Sequence, residues 1–184
     1  LHLTHAPVKS IDPFNKTLNT EFDQLNFDDA IIIPPQQAAD LVRQAGLVEA
    51  DAAGTPGGWA AFDPLHLHAI GDARVFLVGD LLGRASPLFG HYPKSAHMAA
   101  RLGRIAAAEI AARSRGTLPA PTFPESVCFV HTDIEPPEML RIDAQYRLRG
   151  DGLIAQAVRQ HEDPQPRGED RQWAQGLYAE MLAR

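Results

Sequence analysis

Ala73-Arg-Val-Phe-Leu-Val-Gly-Asp80, followed by a glycine-containing loop and then by Pro93-Lys-Ser-Ala-His-Met98, is the stretch on which the reading of this chain turns. Residues 75–78 form a buried-strand pattern that stops at Gly79-Asp80. Over residues 93–113, Ala96, Ala100, Gly103, Ala107 and Ile110 recur at the period of one helix face. Pro93 suits the first helical turn, where its missing N–H has no intrahelical partner to lose. The face is made of small residues, which predicts a neighbour packed very close to it. A strand ending in glycine lets ligand and backbone approach, and an aspartate after it can accept hydrogen bonds from sugar-like hydroxyls at the carboxyl end of a sheet. The helix start at Tyr92-Pro93-Lys94 would add the positive end of the macrodipole and free N–H groups. The plainer alternative makes Gly79-Asp80 a turn, Lys94 a solvated surface residue and the small face ordinary packing on a sheet.

Outward from this segment, residues 8–11 and 16–21 are strand-like and bracket Asp12-Pro-Phe-Asn15, a turn signal that predicts a hairpin. Residues 28–33 read as a buried strand stopped by Pro34-Pro35, which cannot donate to a ladder. Ala38, Leu41, Val42 and Ala45 then stand at helical spacing before Gly46, predicting a helix over 36–45. Residues 51–58 read as a Gly/Ala/Pro surface loop. The proline-rich stretch 117–124 marks an expected domain boundary. Beyond it, residues 139–148 and 153–158 flank Arg149-Gly-Asp-Gly152, a second hairpin. Trp173, Leu177, Met181 and Leu182 share one stripe of an expected terminal helix over 171–184.

The length of 184 residues fits one domain or two small ones, and 45% apolar with 22% charged residues is ordinary globular usage. A net charge of −6 with interspersed signs argues against a nucleic-acid partner, which calls for a basic face. The apolar runs are far shorter than the ~20 residues of a membrane helix. The first residues, Leu1-His-Leu-Thr-His-Ala-Pro7, have neither a charged nor a continuous apolar region of an export signal, which is expected upstream. Cys128 is the single cysteine, so an internal disulfide and a multi-cysteine zinc site are excluded within these residues.

Phe27 to Gln36 (FDDAIIIPPQ), Gln44-Ala-Gly-Leu47, Val75-Phe-Leu-Val-Gly-Asp80, Tyr92-Pro-Lys-Ser-Ala-His97, Cys128 and the Trp173 tail, taken in order, resemble the flavoprotein subunits of flavocytochrome c sulfide dehydrogenases. The resemblance covers nearly the whole chain. The Pro-Pro-Gln and Pro-Lys-Ser-Ala-His segments are its more specific pieces, while the Gly-Asp segment is shared across the pyridine nucleotide-disulfide oxidoreductase superfamily. The fold class it implies is α/β, α+β in part: the C-terminal part of a flavoprotein with two dinucleotide-binding domains, plus a small C-terminal α+β domain. Residues 1–35 would end the second dinucleotide-binding domain, 36–116 would belong to the FAD-binding domain, and 117–184 would form the C-terminal domain.

The resemblance further implies a periplasmic enzyme that oxidises sulfide at FAD and passes electrons to a c-type cytochrome subunit. Gly79, Asp80, Tyr92, Pro93, Lys94, Ser95 and Trp173 would bind the cofactor, and Cys128 would be the catalytic, downstream member of a redox cysteine pair. The neighbourhood of Cys128 departs from the family's Asn-Thr-Cys-Tyr-Ser. The pyrophosphate-binding glycines, the flavin-tethering cysteine and the second redox cysteine would belong to an upstream half, so FAD is expected in the larger protein and not on these residues alone. Without the resemblance, Cys128 reads as an inert strand cysteine and Trp173 as an anchor of the last helix. His66 and His68 read as a solvated loop, while His91 and His97 bracket the helix start and could tune its proton balance.

Two other functions stay open. A sulfide:quinone oxidoreductase would call for a membrane-adherent C-terminal region, to which the acidic tail with Glu169, Asp170 and Glu180 is poorly suited. A non-catalytic interaction domain that has lost flavin is the other. A sheet lacking its first strands is also expected to expose an apolar edge or to pair it with another copy.

Overall fold

The computed structural model describes residues 7–50, 54 and 56–182. Part of the loop expected over 51–58 lies outside them, as do residues 1–6, read above for an export signal, and the last two residues of the expected tail helix. The protein is mixed α and β, with 24% helix, 34% strand and small antiparallel sheets. It divides into two compact units, Leu1–Gln36 and Gln37–Arg184.

In the first unit, β1 (Val8–Asp12), β2 (Thr17–Thr20) and β3 (Gln24–Asn26) form an antiparallel meander. The hairpin follows from its turn chemistry. Asp12 Oδ1 accepts from the Phe14 and Asn15 amides at 2.9 and 3.0 Å, and Lys16 takes a φ of 52° to bring the chain back. The strand expected at 28–33 is absent. Ile31 and Ile33 are 100% and 82% exposed, and among the described residues no strand pairs with the segment. An apolar run becomes a strand only when a neighbour completes its ladder, and here β3 ends before the run begins.

The second unit begins with α1 (Asp40–Gln44), shorter than the helix expected over 36–45. The Ala38 amide donates to the Gly58 carbonyl at 2.6 Å, which ties the preceding residues to a strand instead of a helical turn. Gly46, at φ 68°, ends the helix as its position predicted. Strands β4 (Val48–Ala50) and β5 (Pro56–Ala60) pair antiparallel beside it.

Residues 75–78 do not form the expected strand. Phe76 makes one isolated bridge to His68, with Ala69 N donating to Val75 O and Leu77 N to Leu67 O, both at 2.8 Å. The partner segment cannot extend the ladder, because Leu67 itself turns at φ 58°. Leu77 is nevertheless buried. The chain then enters a 3-10 turn at Gly79–Leu81.

Helix α2 (Ala96–Ser114) is capped by Ser95, whose Oγ accepts from the Met98 amide at 3.3 Å. Its buried face is not the small stripe. His97, Met98, Leu102, Ala106, Glu109 and Ala112 are buried, whereas Ile110 is 47% exposed and Gly103 has open space around it. In a helix this rich in alanine several stripes fit the period, and the larger side chains Met98 and Leu102 decide which one is buried. A close approach does occur on a neighbouring stripe, where Ala99 meets Gly79.

Strands β6 (Glu125–Ile134), β7 (Pro137–Leu148) and β8 (Ile154–Asp163) form a three-stranded antiparallel sheet with β7 in the centre. The β7–β8 turn falls on Arg149-Gly-Asp-Gly152 as expected, with Gly152 at φ 81°. Tyr146 stacks edge-on to Tyr92 at 4.8 Å between centroids, and Ser86 Oγ donates to the Ile154 carbonyl at 2.6 Å. These contacts join the sheet to the core formed by Phe62, Leu77, Leu82, Met98 and Leu102. The chain ends in α3 (Glu169–Leu182). Among the described residues no helix is long and apolar enough to cross a membrane.

Candidate functional site

The start of α2, strand β6 and helix α3 enclose a groove of about 510 Å³, to which Pro93, Ser95, His97, Cys128, Phe129 and Trp173 all contribute. Four of the eight residues singled out in the sequence therefore meet on one surface. Pro93 and Ser95 arrive there because Ser95 caps α2, which fixes the chain's entry into the helix. Cys128 is exposed on β6, opposite Ile142 of β7 in the ladder. It is thus not an inert buried thiol. Trp173 is half-buried and lies 5.6 Å from Phe129 and 5.4 Å from His97, centroid to centroid, the latter contact edge-on.

His97 is the residue that sequence reasoning weighed too lightly. It is 6% exposed, and its two ring nitrogens are buried without a hydrogen-bond partner among the described residues. Such unpaired groups cost about 1–3 kcal/mol each. Burial, and then the Arg101 cation, hold its pKa below the ordinary value. The Glu125 backbone and the Glu180 carboxylate oppose that shift more weakly, the former without hydrogen-bond geometry. Glu180 is turned toward Arg101 and Arg104, at 3.5 and 2.9 Å. At the other end of the groove His131 Nε2 lies 3.3 Å from Asp170 Oδ2.

The other four singled-out residues lie elsewhere in the unit. Gly79 opens the 3-10 turn at φ 79°, and a Cβ on it would stand 3.2 Å from the Ala99 Cβ. Its lack of a side chain is thus required by packing on α2. Asp80 is exposed, and its carbonyl, with that of Leu82, accepts from Lys94 Nζ at 2.6 and 2.8 Å. The same ammonium sits 3.6 Å from the Trp59 ring centroid. Lys94 is therefore a clamp that holds the 3-10 turn to the α2 start, and burial pushes its pKa down against the pull of Asp80 and Glu49. Tyr92 is buried among Phe89 and Tyr146, and burial with the nearby Tyr146 raises its pKa.

The remaining histidines divide. His66 and His68 are not a solvated loop: their side chains are 19% and 16% exposed and their rings are stacked 6.2 Å apart. His66 Nδ1 meets Glu109 Oε1 at 3.0 Å, and Arg113 Nε donates to the same oxygen at 2.8 Å. This buried pairing pins α2 to the 63–68 turn. His91 is exposed and faces Trp59 rather than the groove, with centroids 6.2 Å apart.

A cysteine, two aromatic rings and a buried imidazole on one open surface suit a flat ligand next to a thiol. The signal that could have found His97 was its place two residues beyond a capping serine, where a buried helical face begins. No family model matches the chain.

Proposed function

We propose that this chain supplies the flavin-ring and cysteine side of an FAD-dependent sulfide dehydrogenase, a periplasmic enzyme that hands its electrons to a c-type cytochrome. In this reading the residues are the C-terminal part of a protein with two dinucleotide-binding domains, and an exposed sheet edge offers a contact to a second copy. The observation that carries the reading is the convergence of Pro93, Ser95, Cys128 and Trp173 on one groove, from a helix start, a strand and a terminal helix.

The groove's chemistry fits a flavin ring. Trp173 and Phe129 offer aromatic surface, with the His97 ring packed edge-on against Trp173. Bound FAD would supply a two-electron acceptor beside the thiol. Cys128 contributes an accessible sulfur that, as thiolate, can attack or carry sulfane sulfur. Ser95 fixes the helix start that forms one wall, and Lys94 holds the Gly79–Leu81 turn against it.

The test is made on the protein expressed with its own upstream sequence. Sulfide should bleach its flavin absorbance and reduce added cytochrome c, and Cys128→Ser should abolish sulfide-dependent cytochrome reduction while leaving the flavin bound. A protein that binds no flavin, or a Cys128→Ser variant of undiminished activity, overturns the reading.

A further inference from the structure

Helix α3 is held to the rest of its unit by very little. None of its residues is buried, and only Asp170, Trp173, Ala174 and Leu177 are partly covered. Its ends are pinned by polar contacts between partly exposed side chains: Asp170 meets His131, and Glu180 meets Arg101 and Arg104. Pairs of this kind contribute little to stability. The middle is pinned by Trp173, which packs edge-on against His97 and tilted against Phe129. That contact carries a cost, because with it in place both His97 ring nitrogens are buried without a hydrogen-bond partner among the described residues. The helix is also a weak one by itself. It has 14 residues, near the lower limit for an isolated helix in water. Gly176 weakens its interior, and Glu180 in its last turn opposes the macrodipole with no basic residue there to offset it. Pro164, Pro166 and Gly168, the last at φ 93°, precede it and bend the chain where it enters.

We propose that α3 is a releasable strap: it docks on and lifts from α2 and β6 about the bend at Gly168 while those elements stay folded, and Trp173 is the plug that closes and opens its end of the groove. His97 sets the balance, since docking desolvates the imidazole and release returns it to water. Glu180 is the latch, and its hold on Arg101 and Arg104 weakens as salt screens the pairs. Closed, the strap forms one wall of the groove; open, it uncovers His97 and Phe129 beside Cys128. The strap works in this way whether or not a flavin occupies the groove.

Native-state hydrogen exchange, read by mass spectrometry on the protein expressed with its own upstream sequence, follows α3 and the buried α2 segment 97–106 in one sample. Amides of α3 should exchange about a hundredfold or more faster than those of α2, yet slower than in an unstructured chain. Their exchange should respond weakly to low urea concentrations, because lifting one helix exposes little surface. His97→Leu removes the unpaired nitrogens and should slow α3 exchange about tenfold, the reverse of an ordinary core substitution. Glu180→Gln should speed it about two- to fivefold, and added salt should speed the wild type more than this variant. Exchange of α3 that matches α2 in rate and urea response overturns the strap, as does exchange at the rate of an unstructured chain. Unchanged or faster α3 exchange in His97→Leu overturns it too. Should His97→Leu fail to fold, Glu180→Gln and salt decide, and α3 exchange insensitive to both overturns the proposal.

Discussion

Replacing Gly79 by alanine separates two explanations of the same glycine. Cofactor approach would make it a functional residue, whereas the structure already requires it for packing. Its φ of 79° lies in the left-handed region, where a side chain costs about 1–2 kcal/mol. The new Cβ would also stand 3.2 Å from the Ala99 Cβ, with the Ala99 Cα at 3.8 Å. Helix α2 is held there by Ser95, Met98, Leu102 and the Glu109 pairs, so it cannot retreat freely, and overpacking adds about 1–3 kcal/mol. The sum of roughly 3 kcal/mol lowers Tm by about 6–12 °C for a unit of this size. Gly103→Ala is the control: beyond its chain neighbours and its own helix backbone no atom lies within 4 Å of the added Cβ, and a helix-interior glycine replaced by alanine should stabilise by about 0.5–1 kcal/mol. Thermal and urea unfolding followed by circular dichroism read both variants. A Gly79→Ala protein within about 0.5 kcal/mol of wild type would refute the packing argument.

Two further outcomes follow from buried polar groups. Glu109→Ala leaves His66 and Arg113 without their shared carboxylate and should destabilise by about 3 kcal/mol, read as a lower urea midpoint; Arg113→Met, which removes only the more exposed partner, should cost less. Stability should also fall with pH through His97. Its folded pKa lies below the ordinary 6.5, so the unfolded chain binds a proton that the folded chain refuses. The stability is therefore full above that ordinary value and is lost as pH falls toward the folded pKa. Urea midpoints at about pH 7.5 and 5.5 should differ less in His97→Phe than in wild type, and identical differences would show that His97 does not titrate in this window.

Local chemistry was legible in the sequence wherever neighbours along the chain settle the structure. Asp12 builds its own turn, Gly46 ends α1, and the Gly152 turn sets the β7–β8 hairpin, whereas α2 starts at Ala96 behind the Ser95 cap, so that Pro93, expected in its first turn, lies outside the helix. The meeting of Cys128 with Trp173, Pro93 and Ser95 was not readable from spacing, and was reached only through a resemblance.

What the sequence by itself determined was the positions of turns and caps, because those rest on φ preferences and hydrogen bonds between residues two or three apart. Tertiary structure decided which apolar runs became strands: residues 28–33 and 75–78 carry strand composition but, among the described residues, lack a partner able to continue a ladder. It decided the buried face of α2, where alanine made every stripe plausible and Met98 and Leu102 chose. It decided His97 as well, since whether a buried imidazole finds a partner depends on β6 and α3, elements far along the chain.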